Sequence, residues 1–273
     1  MLIVIKGAGD LASGIALRLK HAGFTIVMTE LGQPMAVRRT VSFSQAVYDG
    51  KVQVEDITAA LVRDTQQMAE AFSRNEIAVI ADPAAGIVRQ LREAGNPPIA
   101  VIDAIMAKKN TGTAIDDAPI VIGVGPGFTA GIDCIAVIET MRGHTLGRVI
   151  TSGCALPNTG IPGDTGGYTT ERLLRCNADG IFSGLAEIGS LVKKGDTVAI
   201  IGESPVHAQI DGIVRGLLPS GIHVTQGTKA GDIDPRCDKN HCFTVSDKAL
   251  AIGGGALEAI LRFMPKNYQL IRK

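Results

Sequence analysis

Through the first 120 residues, apolar runs of four or five residues alternate with longer stretches whose apolar positions return at helical spacing. Leu2 to Ile5 reads as a buried strand, followed by a helical stripe at Ile15, Leu17 and Leu19 that closes at Gly23. Thr25 to Thr29 is a second strand, and Ala78–Ala81, Ile99–Ile102 and Ile120–Val124 are further ones. Helical patterns fall over Ile57–Phe72 and Ala84–Glu93. Strands that are apolar almost throughout, with helices between them, imply a parallel sheet covered on both faces. The expected architecture is α/β: a Rossmann-like parallel sheet with helices on both faces over residues 1–150.

The turn between the first strand and helix reads Gly7-Ala8-Gly9-Asp10-Leu11-Ala12-Ser13-Gly14, the G-x-G-x-x-A pattern, with an acid at Glu30, 21 residues past Gly9. In that context Gly7 permits the tight turn, Gly9 lets backbone approach a pyrophosphate, and Ala12 allows close helix packing. Amides of Asp10 and Leu11 open the helix, and Glu30 is placed to accept from a ribose. The same glycines serve a plain strand-to-helix turn that holds no ligand. Glu30, Asp82 and Asp103 each follow an apolar run, so three acids are expected at one end of the sheet, either lining a crevice or capping helices. Arg38 and Arg39 lie between the second strand and the next helix, as anion ligands or as a solvated loop.

Glycine changes the picture of the second half. Of 33 glycines, nine fall in residues 1–120 and 24 in residues 121–273. Gly125 and Gly127 flank Pro126 after a strand, a second place where backbone can come close to a ligand, with a strand at Ile135–Ile138 and then Arg142 and His144 beyond. Residues 151–180 read as a Gly/Pro-rich linker or lid, in which Cys154 has no visible activating neighbour. Gly189–Asp196 aligns with Gly221–Thr228 at an offset of 32. This two-fold repeat over residues 181–245 resembles a biotinyl- or lipoyl-like β barrel-sandwich, without the carrier lysine at the hairpin tip. Cys237, His241 and Cys242 lack the spacing of a zinc pair. Residues 246–273 are expected to return to the first domain as a helix interrupted at Gly253–Gly255.

Composition bounds the setting. Basic and acidic residues number 27 each and Trp is absent, which argues against a nucleic-acid partner. No run approaches the ~18 apolar residues of a membrane span. Five cysteines without framework spacing fit a reducing cytoplasm.

Several motifs taken together resemble the YqeB family. They are residues 7–14, Arg38-Arg39 with Val41–Phe43, Gly125–Asp133, Glu139–Gly147, Pro157–Gly160, Gly231–Arg236 and Ser246–Gly254. The resemblance implies a cytoplasmic accessory factor for selenium-dependent molybdenum hydroxylases, distantly similar to XdhC-type chaperones, with a molybdenum hydroxylase as partner. On that reading a nucleotide-bearing cofactor such as molybdopterin dinucleotide lies on the two glycine loops, its phosphates on Arg38, Arg39 and Arg142. Two alternatives stand beside it. One is an NAD-dependent oxidoreductase using Glu30 for the ribose and His144 or Asp103 for proton transfer. The other is a docking protein with a vestigial nucleotide site. Self-association as a homo-oligomer is left open.

Overall fold

The computed structural model describes residues 1–265. Its centre is a nine-stranded sheet: β1 (Leu2–Lys6), β2 (Thr25–Glu30), β3 (Lys51–Val54), β4 (Ile57–Val62), β5 (Ile77–Ala81), β6 (Ala100–Asp103), β7 (Ile120–Val124), β9 (Ala136–Ile138) and β10 (Val149–Ile150), in the order β10-β9-β7-β6-β1-β2-β5-β4-β3. β8 (Thr129–Ala130) and β11 (Gly153–Cys154) form a separate antiparallel pair beside it. The inner seven strands run parallel, whereas β3 joins β4 and β10 joins β9 antiparallel.

Side-chain alternation sorts the strands onto two faces. Ile3, Ile5, Ile26, Met28, Ile102 and Ile122 face α1 (Asp10–His21) and α6 (Asp247–Phe263). Val4, Val27, Ala78 and Val101 face α3 (Thr65–Ser73) and α4 (Ile87–Glu93). α2 (Ala46–Asp49) and α5 (Asn240–Phe243) are single turns in the connections.

The two helices of the first face pack backbone to backbone. A Cβ on Gly14 would sit 2.6 Å from the Ala249 Cβ, one on Gly253 2.8 Å from the Gly14 carbonyl oxygen, and one on Gly255 2.1 Å from the Gly147 carbonyl oxygen. The glycine triplet therefore does not interrupt α6. The helix runs unbroken from Asp247, capped by the Ser246 hydroxyl, which accepts from the Ala249 N–H at 3.2 Å. Close approach offsets the roughly 1 kcal/mol that each helical glycine costs against alanine.

The second half builds two antiparallel sheets of four strands. One has the order β12-β19-β17-β14, from β12 (Leu173–Arg175), β14 (Leu191–Val192), β17 (Gly212–Leu217) and β19 (Lys229–Asp234). The other has the order β16-β15-β13-β18, from β13 (Gly180–Gly184), β15 (Thr197–Ile201), β16 (Ser204–His207) and β18 (His223–Val224). Phe182, Val198, Ile201, Val214 and Ile233 fill the space they enclose. The repeated segments have matching backbones: Gly189 and Gly221 both take positive φ (96° and 87°), as do Gly195 and Gly227 (96° and 85°).

Three expectations are corrected. The Rossmann-like parallel sheet is instead a large mixed sheet, because hairpin partners add antiparallel strands at both edges. Ile57–Phe72 is not one helix: Ile57–Val62 is strand β4, and Asp64 then starts α3 by accepting from the Gln67 N–H at 2.8 Å. A short apolar run carries no periodicity that separates strand from helix. The second half is not a self-contained biotinyl- or lipoyl-like module either. Its two antiparallel sheets are built into the protein through β17, whose Leu217 N–H donates to the Val37 carbonyl at 2.7 Å while Arg39 Nε donates to the Leu217 carbonyl at 2.7 Å. Gly216 has no room for a Cβ against the Val37 carbonyl, 2.9 Å away. Among the described residues no helix is long and apolar enough to cross a membrane.

Candidate functional site

The docked sheet that carries β17 and β19, and the carboxyl ends of β1, β2 and β6, enclose a cleft made of two adjoining cavities. The larger, about 620 Å³, is bordered by Gly7, Gly9, Asp10, Leu11, Ala12, Glu30 and Arg38, and by apolar Leu31, Met35, Val37, Ile105 and Met106. The second, about 420 Å³, is bordered by Lys108, Arg142, Arg172, Arg215, Asp232 and Lys248. Asp10, Leu11, Arg38, Met106 and Lys229 belong to both.

Gly7 makes the turn out of β1 with φ at +92°, and a Cβ there would meet the Ala104 carbonyl oxygen at 3.1 Å. Gly9 is different. A Cβ on it would meet nothing within 4 Å, so its bare backbone opens the cleft at the start of α1. Asp10, the first residue of α1, is paired with Arg38 Nη1 at 2.9 Å, and Arg38 Nη2 donates to the carbonyls of His241 (3.0 Å) and Thr244 (3.1 Å). Glu30 reaches the cleft but both its oxygens accept from backbone, Oε2 from the Ala8 N–H at 2.9 Å and Oε1 from the Leu31 N–H at 2.8 Å. It ties the glycine turn to the end of β2.

The other expected site residues do structural work outside the cleft. Arg39 anchors β17. Asp82 caps α4, accepting from the Ile87 N–H at 2.8 Å. Buried Asp103 accepts from the Thr113 hydroxyl at 2.6 Å and the Ile105 N–H at 3.1 Å. Gly14 serves the α1–α6 contact, and Gly125 and Gly127 take positive φ where a Cβ would strike Thr140 Oγ1 (2.8 Å) and the Lys109 backbone N (2.6 Å). His144 is exposed and borders neither cavity. Arg142 does reach the second cavity, held by Asp247 at 2.8 Å and 3.0 Å; these bonds keep the Asp247 carboxyl at about 2.

Sequence reading missed the basic residues that give the second cavity its character: Lys108, Arg172, Arg215, Lys229 and Lys248 come from a loop, from the segment before β12, from β17, from β19 and from α6. No local spacing marks them, since only the fold brings them together. Arg172 and Arg215 converge on buried Asp232, and Arg215 and Arg236 on buried Asp234. Burial alone would raise the Asp234 carboxyl, but hydrogen bonds from Arg236 and the charge of Arg215 hold it at about 2. Lys229 and Lys248 have no hydrogen bond or ion pair through the ammonium among the described residues, and burial lowers both pKa values, with Arg142 adding to the effect at Lys248. Lys229 nevertheless remains open to solvent within the cleft. Buried Nε atoms of Arg38 and Arg172 meet no acceptor. The arrangement suits an anion: cationic side chains outnumber the acids bordering the cavity, and the first turn of α1, which has no side-chain cap, borders the same space.

No family model matches the chain. It is 51% identical over 272 residues to "Uncharacterized protein YqeB" of Escherichia coli (strain K12), a match covering 100% of the chain and 49% of that protein. The chain thus spans about half the length of the curated relative it matches. Among solved structures, it is similar to an aspartoacylase family protein from Mesorhizobium loti (10% identity, 85% of the chain and 83% of the other, TM-score 0.26). It is similar also to a succinylglutamate desuccinylase/aspartoacylase from Rhodobacter sphaeroides (14%, 85% and 85%, TM-score 0.26) and to the ectoine utilization protein EutE (DoeB) from Ruegeria pomeroyi (14%, 76% and 57%, TM-score 0.24). Likenesses of that TM-score carry no argument about this chain's architecture or chemistry.

The expected roles as a molybdenum hydroxylase accessory factor, an NAD-dependent oxidoreductase or a docking protein with a nucleotide site are set aside. The curated relative is described as uncharacterized and lends support to none of them, and Glu30 serves the glycine turn by accepting from the Ala8 and Leu31 N–H groups.

Proposed function

The chain belongs to the YqeB family, and we propose that its cleft binds an anionic small molecule, the anionic group among the basic residues of the second cavity and an apolar portion along Leu31, Met35 and Ile105. One observation carries the reading. Lys108, Arg142, Arg172, Arg215, Lys229 and Lys248 border one cavity whose bordering acids are Asp10 and Asp232, and among the described residues the ammonium groups of Lys229 and Lys248 have no ion pair. An oxyanion seated there is bound by the field of the excess cations together with charge-assisted hydrogen bonds from the lysine ammonium groups. Apolar lining on the other side gives the non-ionic part of the ligand a place out of water.

Isothermal titration with pyrophosphate and with citrate tests this directly. Saturable binding is expected, and Lys248→Ala is expected to weaken it about ten-fold, the equivalent of one charge-assisted contact. Raising the salt concentration should weaken it further. Absence of saturable heat, with no rise in melting temperature at millimolar anion, would overturn the reading.

A further inference from the structure

We propose that Lys229 is a nucleophilic amine that captures the carbonyl carbon of a small anionic aldehyde or keto acid as a Schiff base. The inference rests on the anion-binding reading above and gives that cleft a reaction.

Position argues first. Lys229 is the lysine shared by the two cavities, so a carbonyl within its reach leaves an apolar body in the larger one and an anionic group in the second. It projects from the first residue of β19, where its backbone pairs with Arg175 of β12. Accessibility argues next: the residue is open to solvent within the cleft. Among the other lysines, Lys6 donates to Thr113 and Asp117, Lys51 pairs with Glu76, Lys193 pairs with Asp211, and Lys108 borders only the second cavity. Lys248 also lacks a partner, but it borders only the second cavity, where it is placed to hold the anionic group.

Electrostatics points the same way. Burial lowers the Lys229 pKa, Arg172 and Arg215 add to the effect, and Asp232 and Asp10 oppose it. An amine so placed spends more of its time unprotonated, which is the form that attacks. The nitrogen lone pair adds to the carbonyl carbon as the C=O π pair moves to oxygen. A proton passes from nitrogen to that oxygen, giving a carbinolamine. Loss of the hydroxyl with a second nitrogen proton releases one water and leaves the C=N bond. No oxidant or reductant is consumed.

The test uses the intact chain with pyridoxal 5′-phosphate, an anionic aldehyde, as probe. The protein is treated with less than one equivalent, reduced with borohydride to fix any imine as a secondary amine, and mapped by peptide mass spectrometry across a pH series. Lys229 is expected to take up about ten-fold more label than exposed Lys194, with a labelling midpoint below the usual lysine value of about 10.4. Excess pyrophosphate should suppress that label selectively. Labelling of Lys229 no faster than Lys194, or preferential labelling of Lys248, would overturn the assignment. If pyrophosphate binds calorimetrically while Lys229 is not selected, the amine inference falls and the anion-binding reading stands. Selective labelling without pyrophosphate binding would instead uphold the reactive amine and overturn the anion-binding reading.

Discussion

Arg38 Nη1 lies 2.9 Å from the Asp10 carboxylate, and through that pair the first turn of α1 is tied to the carbonyls of His241 and Thr244, more than 200 residues along the chain. The guanidinium is buried, and Asp10 is the acid that both cavities share. Arg38→Ala should therefore destabilise by about 3 kcal/mol, since it strands a carboxylate and two carbonyls. Arg38→Lys should recover less than half of this, because an ammonium cannot match the planar fork. Urea denaturation midpoints of the two variants would decide the matter.

Adjacent glycines of α6 should respond with opposite signs. Gly254 is exposed and a Cβ there meets nothing within 4 Å, so Gly254→Ala should stabilise by up to about 1 kcal/mol through helix propensity. Gly255 faces the Gly147 carbonyl oxygen at 2.1 Å from a would-be Cβ, and backbone cannot step aside cheaply. Gly255→Ala should cost about 1–3 kcal/mol or more. Thermal melts of the two single variants provide the comparison, and equal effects would show that α6 does not sit on residue 147.

Acid should release the tie between Arg142 and α6. Hydrogen bonds from Arg142 hold the Asp247 carboxyl at about 2, below the roughly 3.9 of an unfolded aspartate. A carboxyl depressed on folding contributes its full stabilisation above the unfolded value and loses it as pH falls through the folded one. The stability difference between wild type and Asp247→Asn should thus be constant above about pH 5 and shrink between about pH 4 and pH 2. Urea titrations across that range would reveal it; a difference that persists unchanged at pH 2 would contradict the pairing.

Thiol reactivity should divide the five cysteines cleanly. Cys154 and Cys237 are exposed, whereas Cys134, Cys176 and Cys242 are buried. Burial pushes the Cys134 thiol up to about 11 and raises Cys176 and Cys242 as well. Iodoacetamide at pH 8 should alkylate the first two and leave the other three until denaturant is added, as read by intact mass.

Most of the parallel strands could be read from the chain because each is apolar at nearly every position, a pattern that buried strands impose regardless of neighbours. The hairpin strand Ile57–Val62 could not, since six residues are too few for period to discriminate. Part of the glycine fingerprint was legible for the same local reason: Gly7 must take positive φ and Gly9 must leave space, whatever else the protein does. An acid at a strand end such as Glu30 looks alike in sequence whether it meets a ligand, a backbone amide or both, and only distances reveal that it accepts from the Ala8 and Leu31 N–H groups.

Family membership, the central strands and the turn into α1 were thus determined by the sequence itself, through motifs and periodicities that act over a few residues. The cleft's character was decided by tertiary structure alone. Lys108, Arg172, Arg215, Lys229 and Lys248 lie on separate segments spread over 140 positions, and their charges sum into one field only where β17 docks on Val37 and α6 returns to α1. Electrostatic interaction depends on distance in space, which no spacing along the chain records.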